Sequence, residues 1–362
     1  IPLTEMAQSA GLDYQALWWV STNYIREETL KRATVRLVNY QHELWLSSYW
    51  GSGMLSSSDG QRFPVSGKIR NAQSIPRYYG YGKGYTLITH TSDQYAQYGS
   101  RSIPSTIRDA TYVLDEILSN ETDLEIIEHT TDTGGYTDII FALFDLLWLL
   151  FSPRLRDLAN QSLCRIKGMD LKYPSLKFTS NFRPEYVRAR WDDLLRVAAT
   201  LKSGWVTSSL LISKLQGYPR QHHLTALLQE YGKLVKTTFI LRYLQSQPLR
   251  RRIHAQLNKG EQLHALRAWL WFGGDGHLRK KQEDAQQETA GCLNVLTNLV
   301  VVWNTVYTQE VLKKHQADGH MVDENDFEHL SPARFAHINR LGRYTFQKVE
   351  QFEDNGLCPL RT

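Results

Sequence analysis

Between residues 54 and 98 the apolar positions are short, alternate with polar ones, and are rich in Tyr, Thr, Val and Ser, which predicts strands rather than helices. The run Tyr78-Tyr79-Gly80-Tyr81-Gly82-Lys83-Gly84-Tyr85-Thr86-Leu87-Ile88-Thr89-His90 reads as a hairpin turning near Gly82-Lys83-Gly84. With the extended stretch Ser56-Ser57-Ser58-Asp59-Gly60-Gln61-Arg62-Phe63 it makes three antiparallel strands. Over residues 105–118, Ile107, Ala110, Val113, Leu114 and Ile117 recur at helical spacing, with Ser105 or Thr106 as the cap. The helix leads into a strand over 124–131, and a helical crossover makes that strand parallel to one already in the sheet.

The flanks read as helical. Residues 6–17 have the cadence of helix, glycine turn and helix, which is the outline of a DNA-binding helix-turn-helix and equally of two plainly packed helices. Residues 23–40 predict a longer helix with Arg26, Glu27, Glu28, Lys31, Arg32 and Arg36 on its wet side. The helix starting near Tyr136 is apolar nearly all round and is expected to be buried. Residues 152–250 are mostly helical with proline and glycine breaks. A helix follows Glu261 to Phe272, then a Gly273-Gly274-Asp275-Gly276 loop, an apolar helix over 286–307 and a polar tail from Lys313.

Composition narrows the class. The 362 residues suffice for a full core, and three scattered cysteines argue for a reducing cytoplasm rather than for disulfides or zinc. The longest apolar run, residues 139–151, is too short to span a bilayer and carries Asp145, so no membrane partner is expected. The chain opens on Ile1-Pro2-Leu3-Thr4 and reads as a piece cut from a longer protein. Its 42 basic residues against 37 acidic, pI near 8.9, permit nucleic-acid binding. Arg250-Arg251-Arg252 and Arg279-Lys280-Lys281 flank a lone glutamate, Glu261, and suggest a surface that follows phosphates.

The chemistry rests on three carboxylates. Asp59 lies within a strand, where aspartate is disfavoured and asks for a cation or a basic partner. Asp132, in Glu128-His129-Thr130-Thr131-Asp132-Thr133-Gly134-Gly135, ends the next parallel strand, so the two aspartates are expected side by side. Glu261, in Asn258-Lys259-Gly260-Glu261, is read as following a glycine turn that opens a covering helix. The three would form an oxygen-only cage for Mg²⁺, two such ions holding the attacking and leaving oxygens of a displacement at phosphorus. Taken singly, Asp59 and Asp132 also fit turn residues before glycine, and Glu261 a first-turn glutamate. Arg62, Lys68, Arg70, Arg250, Arg251, Arg252 and Lys259 are the candidate phosphate contacts.

These stretches carry a resemblance. Tyr24-Ile25-Arg26-Glu27-Glu28-Thr29, Ser57-Ser58-Asp59-Gly60-Gln61-Arg62-Phe63, Glu128-His129-Thr130-Thr131-Asp132-Thr133-Gly134-Gly135, Phe151-Ser152-Pro153-Arg154-Leu155-Arg156-Asp157-Leu158, Leu257-Asn258-Lys259-Gly260-Glu261 and Cys292-Leu293-Asn294-Val295-Leu296-Thr297-Asn298 resemble the catalytic region of transposases of the Tn-three family. The resemblance implies an α/β fold: an RNase H-like mixed five-stranded sheet flanked by helices, with an all-α insertion before the glutamate. The segments it implies are a helical lead-in over 1–50, a core over 51–165, the insertion over 166–249, the second part of the core over 250–310, and a tail over 311–362. It implies a DDE triad at Asp59, Asp132 and Glu261, and two Mg²⁺ ions for which Mn²⁺, a hard cation of the same ligand preference, can substitute. It further implies cleavage at transposon 3′ ends, strand transfer into target DNA with cointegrate formation, a homodimer bringing two ends together, and a place in the bacterial cytoplasm beside the nucleoid. A nuclease or integrase that cuts without joining, and a non-catalytic DNA-binding or assembly protein keeping the fold, are the alternatives. One departure stands out: a glycine and a more polar spacer are expected between Leu147 and Phe151, where this chain has Trp148-Leu149-Leu150.

Overall fold

Three serines and an aspartate in succession would make a poor isolated strand, yet residues Leu55–Val65 form β1, the centre of the main sheet. Ladders on both sides hold it. The structure, a computed structural model, describes residues 3–65, 73–74, 83–103, 111–133, 136–168, 176–217, 222–272, 283–341, 344 and 357. The other strands of the sheet are β2 (Gln73–Ser74), β3 (Lys83–Ser92), β4 (Gln97–Ile103), β5 (Glu128–Thr131) and β6 (Leu150–Phe151).

β3 runs antiparallel to β1 and to both β2 and β4, whereas β5 runs parallel to β1 and β6 parallel to β5. Because β1 occupies one edge of β3, β2 and β4 share the other, and the mixed sheet is five strands wide, as the sequence led us to expect. The hairpin differs in place. Lys83 and Gly84 are strand residues paired with Val65 and Pro64, while β3 turns into β4 through Asp93-Gln94-Tyr95-Ala96, with Tyr95 at φ 64°. Lys68, Arg70, Gly82, the first part of the helix expected over 105–118, the Gly273–Gly276 loop and Arg279-Lys280-Lys281 lie outside the described residues.

Helices α1 (Leu3–Ala10) and α2 (Tyr14–Tyr24) meet at Gly11, and neither has a buried residue. Then come α3 (Glu27–Glu43) and α4 (Ser47–Trp50), α5 (Val113–Leu118) before β5, and α6 (Asp138–Leu146) after it. The apolar pattern of α6 is matched by burial of every residue from Ile139 to Phe144, each large side chain contributing roughly 1.5–3 kcal/mol. Trp148, just past α6, holds the left-handed φ of 61° that the expected glycine would adopt freely, and its side chain is 91% exposed.

The insertion expected to be all helical over 166–249 carries a strand, β8 (Phe178–Phe182), which pairs parallel with β7 (Leu163–Ile166) at its border, besides α7 (Pro184–Arg188), α8 (Trp191–Lys202), α9 (Ser208–Gly217) and α10 (His223–Gln245). Helix α10 lies across α6, and Gly232 makes that approach possible: a Cβ there would stand 1.8 Å from the Asp138 carbonyl oxygen. α11 (Gln247–Leu270) and α12 (Glu283–Ala317) complete the fold, and the segment boundaries expected at 249–250 and 310–311 fall inside them.

One layer of core packs α5, α6 and α10 with Ile126 and Phe151; on the other face Leu263 and Leu266 of α11 pack with Leu46, Trp50 and Val301. Residues 285–317 are long and apolar enough to cross a membrane by length and composition, but half of that apolar window is buried, and α12 lies against α3 and β4. Along β4 the amides of α12 bond the outer backbone: Gln287 with Ser100 O and Ser102 N, Asn294 with Gln97 O, and Asn298 with both Gln97 N and O, all at 2.9–3.1 Å. The expected polar tail is partly core, since Phe327 is buried against Trp45 and Tyr49.

Candidate active site

Strand alternation sorts β1 into two faces. Ser56 and Ser58 point to the α5–α6 side, where they hold the buried His129 of β5: Ser56 Oγ lies 2.7 Å from Nδ1 and Ser58 Oγ 2.9 Å from Nε2. Small hydroxyls leave room for the ring. Ser57, Asp59 and Gln61 face α11, which runs along the strand above them. Gln256 Nε2 donates to Ser57 Oγ at 3.0 Å, Gln61 Nε2 donates to the His264 carbonyl at 2.9 Å, and Arg267 Nε donates to Gln61 Oε1 at 3.1 Å.

The two aspartates come together at one level. Ser58 is the register partner of Thr131, so the same register carried one residue on sets Asp59 level with Asp132, which directly follows β5. Adjacent strands are about 4.8 Å apart. Thr89 of β3 is the register partner of Asp59 on its other side. Asp59 Oδ1 accepts the Gly60 N–H at 2.8 Å, and its Oδ2 lies 3.6 Å from His264 Nδ1. Asp132 Oδ1 is 2.7 Å from Arg154 Nη2, a half-exposed pair of the sort worth at most about 1 kcal/mol.

Glu261 rides on α11 one turn before His264 and is exposed. Helix geometry sets it about 100° round from Gly260, which faces Ser57, on the flank away from Lys259. No glycine turn opens a helix here: Gly260 lies well inside a 24-residue helix, so the first-turn reading of Glu261 falls as well. Among the described residues no three His, Cys, Asp or Glu side chains stand close enough to share a metal ion. By register Asp59 and Asp132 fall at one level, and Glu261 lies on the helix that runs over β1 without closing the set.

Burial in this layer keeps the imidazole neutral and weakens the cations. His264 is pushed down to about 3 by desolvation, with the Arg267 charge adding to it, and Arg267 itself is pushed down to about 9. Arg267 is fully buried and spends its other bond on Gln97 Oε1, at 2.9 Å.

The basic candidates are dispersed. Arg62 is exposed but falls on the face of β1 opposite Asp59. Arg250 Nη1 donates to the Tyr243 and Leu244 carbonyls at the end of α10, and Arg252 Nη2 binds both Glu128 oxygens at 2.8 Å. Lys259 Nζ donates to the Trp50 and Asp93 carbonyls, both at 2.7 Å, and burial pushes it down to about 8. Arg251 is exposed. Arg154 and His264, two side chains that stand against the aspartates, were not among the residues the sequence singled out as site candidates. Arg154 could have been found inside the Ser152-Pro153-Arg154 stretch quoted above, and His264 one helical turn past Glu261.

Comparison with known proteins fits this geometry. The model of the Tn3 transposase DDE domain matches residues 1–344. The transposase for transposon Tn501 of Pseudomonas aeruginosa is 42% identical over 362 residues, covering 99% of this chain and 36% of that protein. The transposase for transposon Tn21 of Escherichia coli is 41% identical over 99% of this chain and 36% of its own length, and that for transposon Tn1546 of Enterococcus faecium 39% over 100% and 36%. The chain thus spans about a third of the length of these relatives. With two aspartates level on adjacent strands and a match that runs through both of them and Glu261, the chain belongs to the Tn3 transposase DDE domain family.

Proposed function

We propose that this chain is the catalytic part of a transposase that cuts DNA at transposon 3′ ends and joins the freed 3′-hydroxyl to target DNA. The observation that carries the reading is the level placement of Asp59 and Asp132 beneath the helix that bears Glu261. The strand order, three antiparallel strands followed by two parallel ones, supports an RNase H-like core over 51–165 and 250–310, with 166–249 as an insertion.

The donor set fits a hard cation: three carboxylates suit Mg²⁺ or Mn²⁺. Arg154 on Asp132 is a positive charge already standing in that corner. Asp59, Asp132 and Glu261 would hold the metal, two ions being the expected number, with Glu261 brought to the aspartates in the DNA complex. When bound, such ions neutralise charge on the reacting phosphate and promote ionisation of the attacking water or 3′-hydroxyl.

The chain's own residues hold the arrangement. The β1 ladder would hold Asp59 and the end of β5 would bring Asp132 to its level, while neutral His264 fills the space beside Asp59 without adding charge. In each step one P–O bond forms as another breaks in line, and the displaced 3′-oxygen leaves with the proton balance closed through solvent. Exposed cations such as Arg62 and Arg251, with Lys68, Arg70, Arg250 and Arg252 as the remaining candidates, would bind the DNA backbone without reading bases, whereas Lys259 is engaged with the Trp50 and Asp93 carbonyls. Pairing two transposon ends calls for a homodimer, and joining them replicatively yields a cointegrate in the bacterial cytoplasm, at the nucleoid.

The test is nicking of supercoiled plasmid in Mg²⁺ or Mn²⁺, together with joining of a labelled duplex that carries a free 3′-hydroxyl. Asp59→Asn, Asp132→Asn and Glu261→Gln are each expected to cost at least about a hundredfold in both, with DNA binding kept. Cutting without joining would favour a plain nuclease. Full activity in all three variants would overturn the reading.

A further inference from the structure

The Asp132 carboxylate has a cationic neighbour whose position the backbone dictates. After β6 the chain continues to pair with β5: Ser152 N donates to His129 O and Arg154 N to Thr131 O, both at 2.9 Å. Carrying the Glu128–Leu150 and His129–Phe151 register forward sets Arg154 beside Asp132. Thr89, Asp59, Asp132 and Arg154 therefore form one row across four neighbouring segments. Pro153 fixes the approach to Arg154, and Ser152 O accepts the Thr130 hydroxyl at 2.7 Å, so the main chain here is tied down. The side chain is freer: Arg154 is 36% exposed and Asp132 50%.

A guanidinium and a divalent cation repel each other and compete for the same carboxylate oxygen. Arg154 Nη2 takes Asp132 Oδ1, which the Thr133 hydroxyl also approaches at 3.2 Å. A cation that takes Asp132 Oδ1 must displace the arginine from that oxygen. Its planar fork then lies at the open side of the row, with geometry suited to two oxygens of a phosphate.

We propose that Arg154 is a positioning residue with two successive partners. Before a divalent cation binds, it holds the Asp132 carboxylate aimed into the site; once the cation has taken that oxygen, it passes to a phosphate of the DNA backbone. This rests on Asp132 being a metal ligand, as in the function proposed above. It couples two binding events. DNA draws Arg154 off Asp132 and so tightens cation binding, and by reciprocity the cation tightens DNA binding.

Mn²⁺ binding to the whole chain, read by the paramagnetic resonance of free Mn²⁺ with and without a random-sequence duplex, tests this directly. Without DNA, Arg154→Gln is expected to bind Mn²⁺ about tenfold more tightly than the parent, a gain within the ordinary range of coupling between sites. Added duplex should tighten Mn²⁺ binding in the parent and leave the variant nearly unchanged. Equal or weaker Mn²⁺ binding by Arg154→Gln without DNA, or an equal response to duplex, would overturn the proposal. Should Arg154→Gln not fold, Arg154→Lys keeps the charge but loses the fork; a reduced response to duplex supports the proposal, and an undiminished one overturns it. Asp132→Asn separates the two levels: if it leaves Mn²⁺ binding of the parent intact, the metal reading of Asp132 has failed, independently of Arg154.

Discussion

His264 Nδ1 stands 3.6 Å from Asp59 Oδ2, beyond hydrogen-bond length, while its Nε2 lies 3.4 Å from the Thr89 hydroxyl. The ring packs beside the carboxylate as a neutral body. Removing it with His264→Ala leaves a space next to Asp59 and lets the carboxylate turn. We expect nicking to fall about tenfold, equivalent to roughly 1.4 kcal/mol of barrier, with a higher Mn²⁺ concentration needed for half-maximal rate. An unchanged metal dependence would limit His264 to packing.

Lys259 anchors α11 rather than facing solvent as its charge suggested. Lys259→Met would leave the Trp50 and Asp93 carbonyls without their donor, a loss of about 1–3 kcal/mol in a denaturant melt. The salt dependence of DNA binding should stay as it was. A log–log salt slope reduced by about 1 with stability unchanged would return Lys259 to the phosphate contacts.

Gly260→Ala tests how α11 sits on the sheet. The added Cβ meets only the Ser57 hydroxyl, at 3.9 Å, which is ordinary contact. Alanine inside a helix is about 0.5–1 kcal/mol better than glycine, so stability should rise by that amount. A fall would mean that helix and strand must come closer than they do here.

Acid should weaken the fold through two buried histidines. Burial pushes His90 down to about 4 and holds His129 well below the ordinary histidine value, so both are neutral in the folded chain while the unfolded chain takes up protons near pH 6.5. Their contribution is complete above pH 6.5 and is lost as pH falls from there toward 4. Between pH 6.5 and 5.5 each costs about 1 kcal/mol. Melts over that interval should show the drop, and a His90→Gln variant that folds should show less of it.

The sheet was legible because its order follows from chain logic: hairpins give antiparallel neighbours, and a helical crossover gives a parallel one. The level pairing of Asp59 and Asp132 follows from the same logic. What stayed hidden depends on helix phase and on partners far along the chain. Gly260 looked like a break, but α11 is held by contacts of Gln256, Gln61 and Arg267 that override the local preference. Arg250, Arg252 and Lys259 read as one basic face, yet successive helical positions point 100° apart, and each found a different acceptor. Arg154 gains its meaning only from the β5–β6 register.

The contacts between α12 and β4 have a consequence for assembly. Through Gln287, Asn294 and Asn298 the helix presents side-chain amides where another strand would offer peptide groups. Gln97 N and O, Ser100 O and Ser102 N are thereby already engaged, so a further strand could add along this border only by displacing the helix. A second copy of the chain could not extend the sheet across those engaged groups.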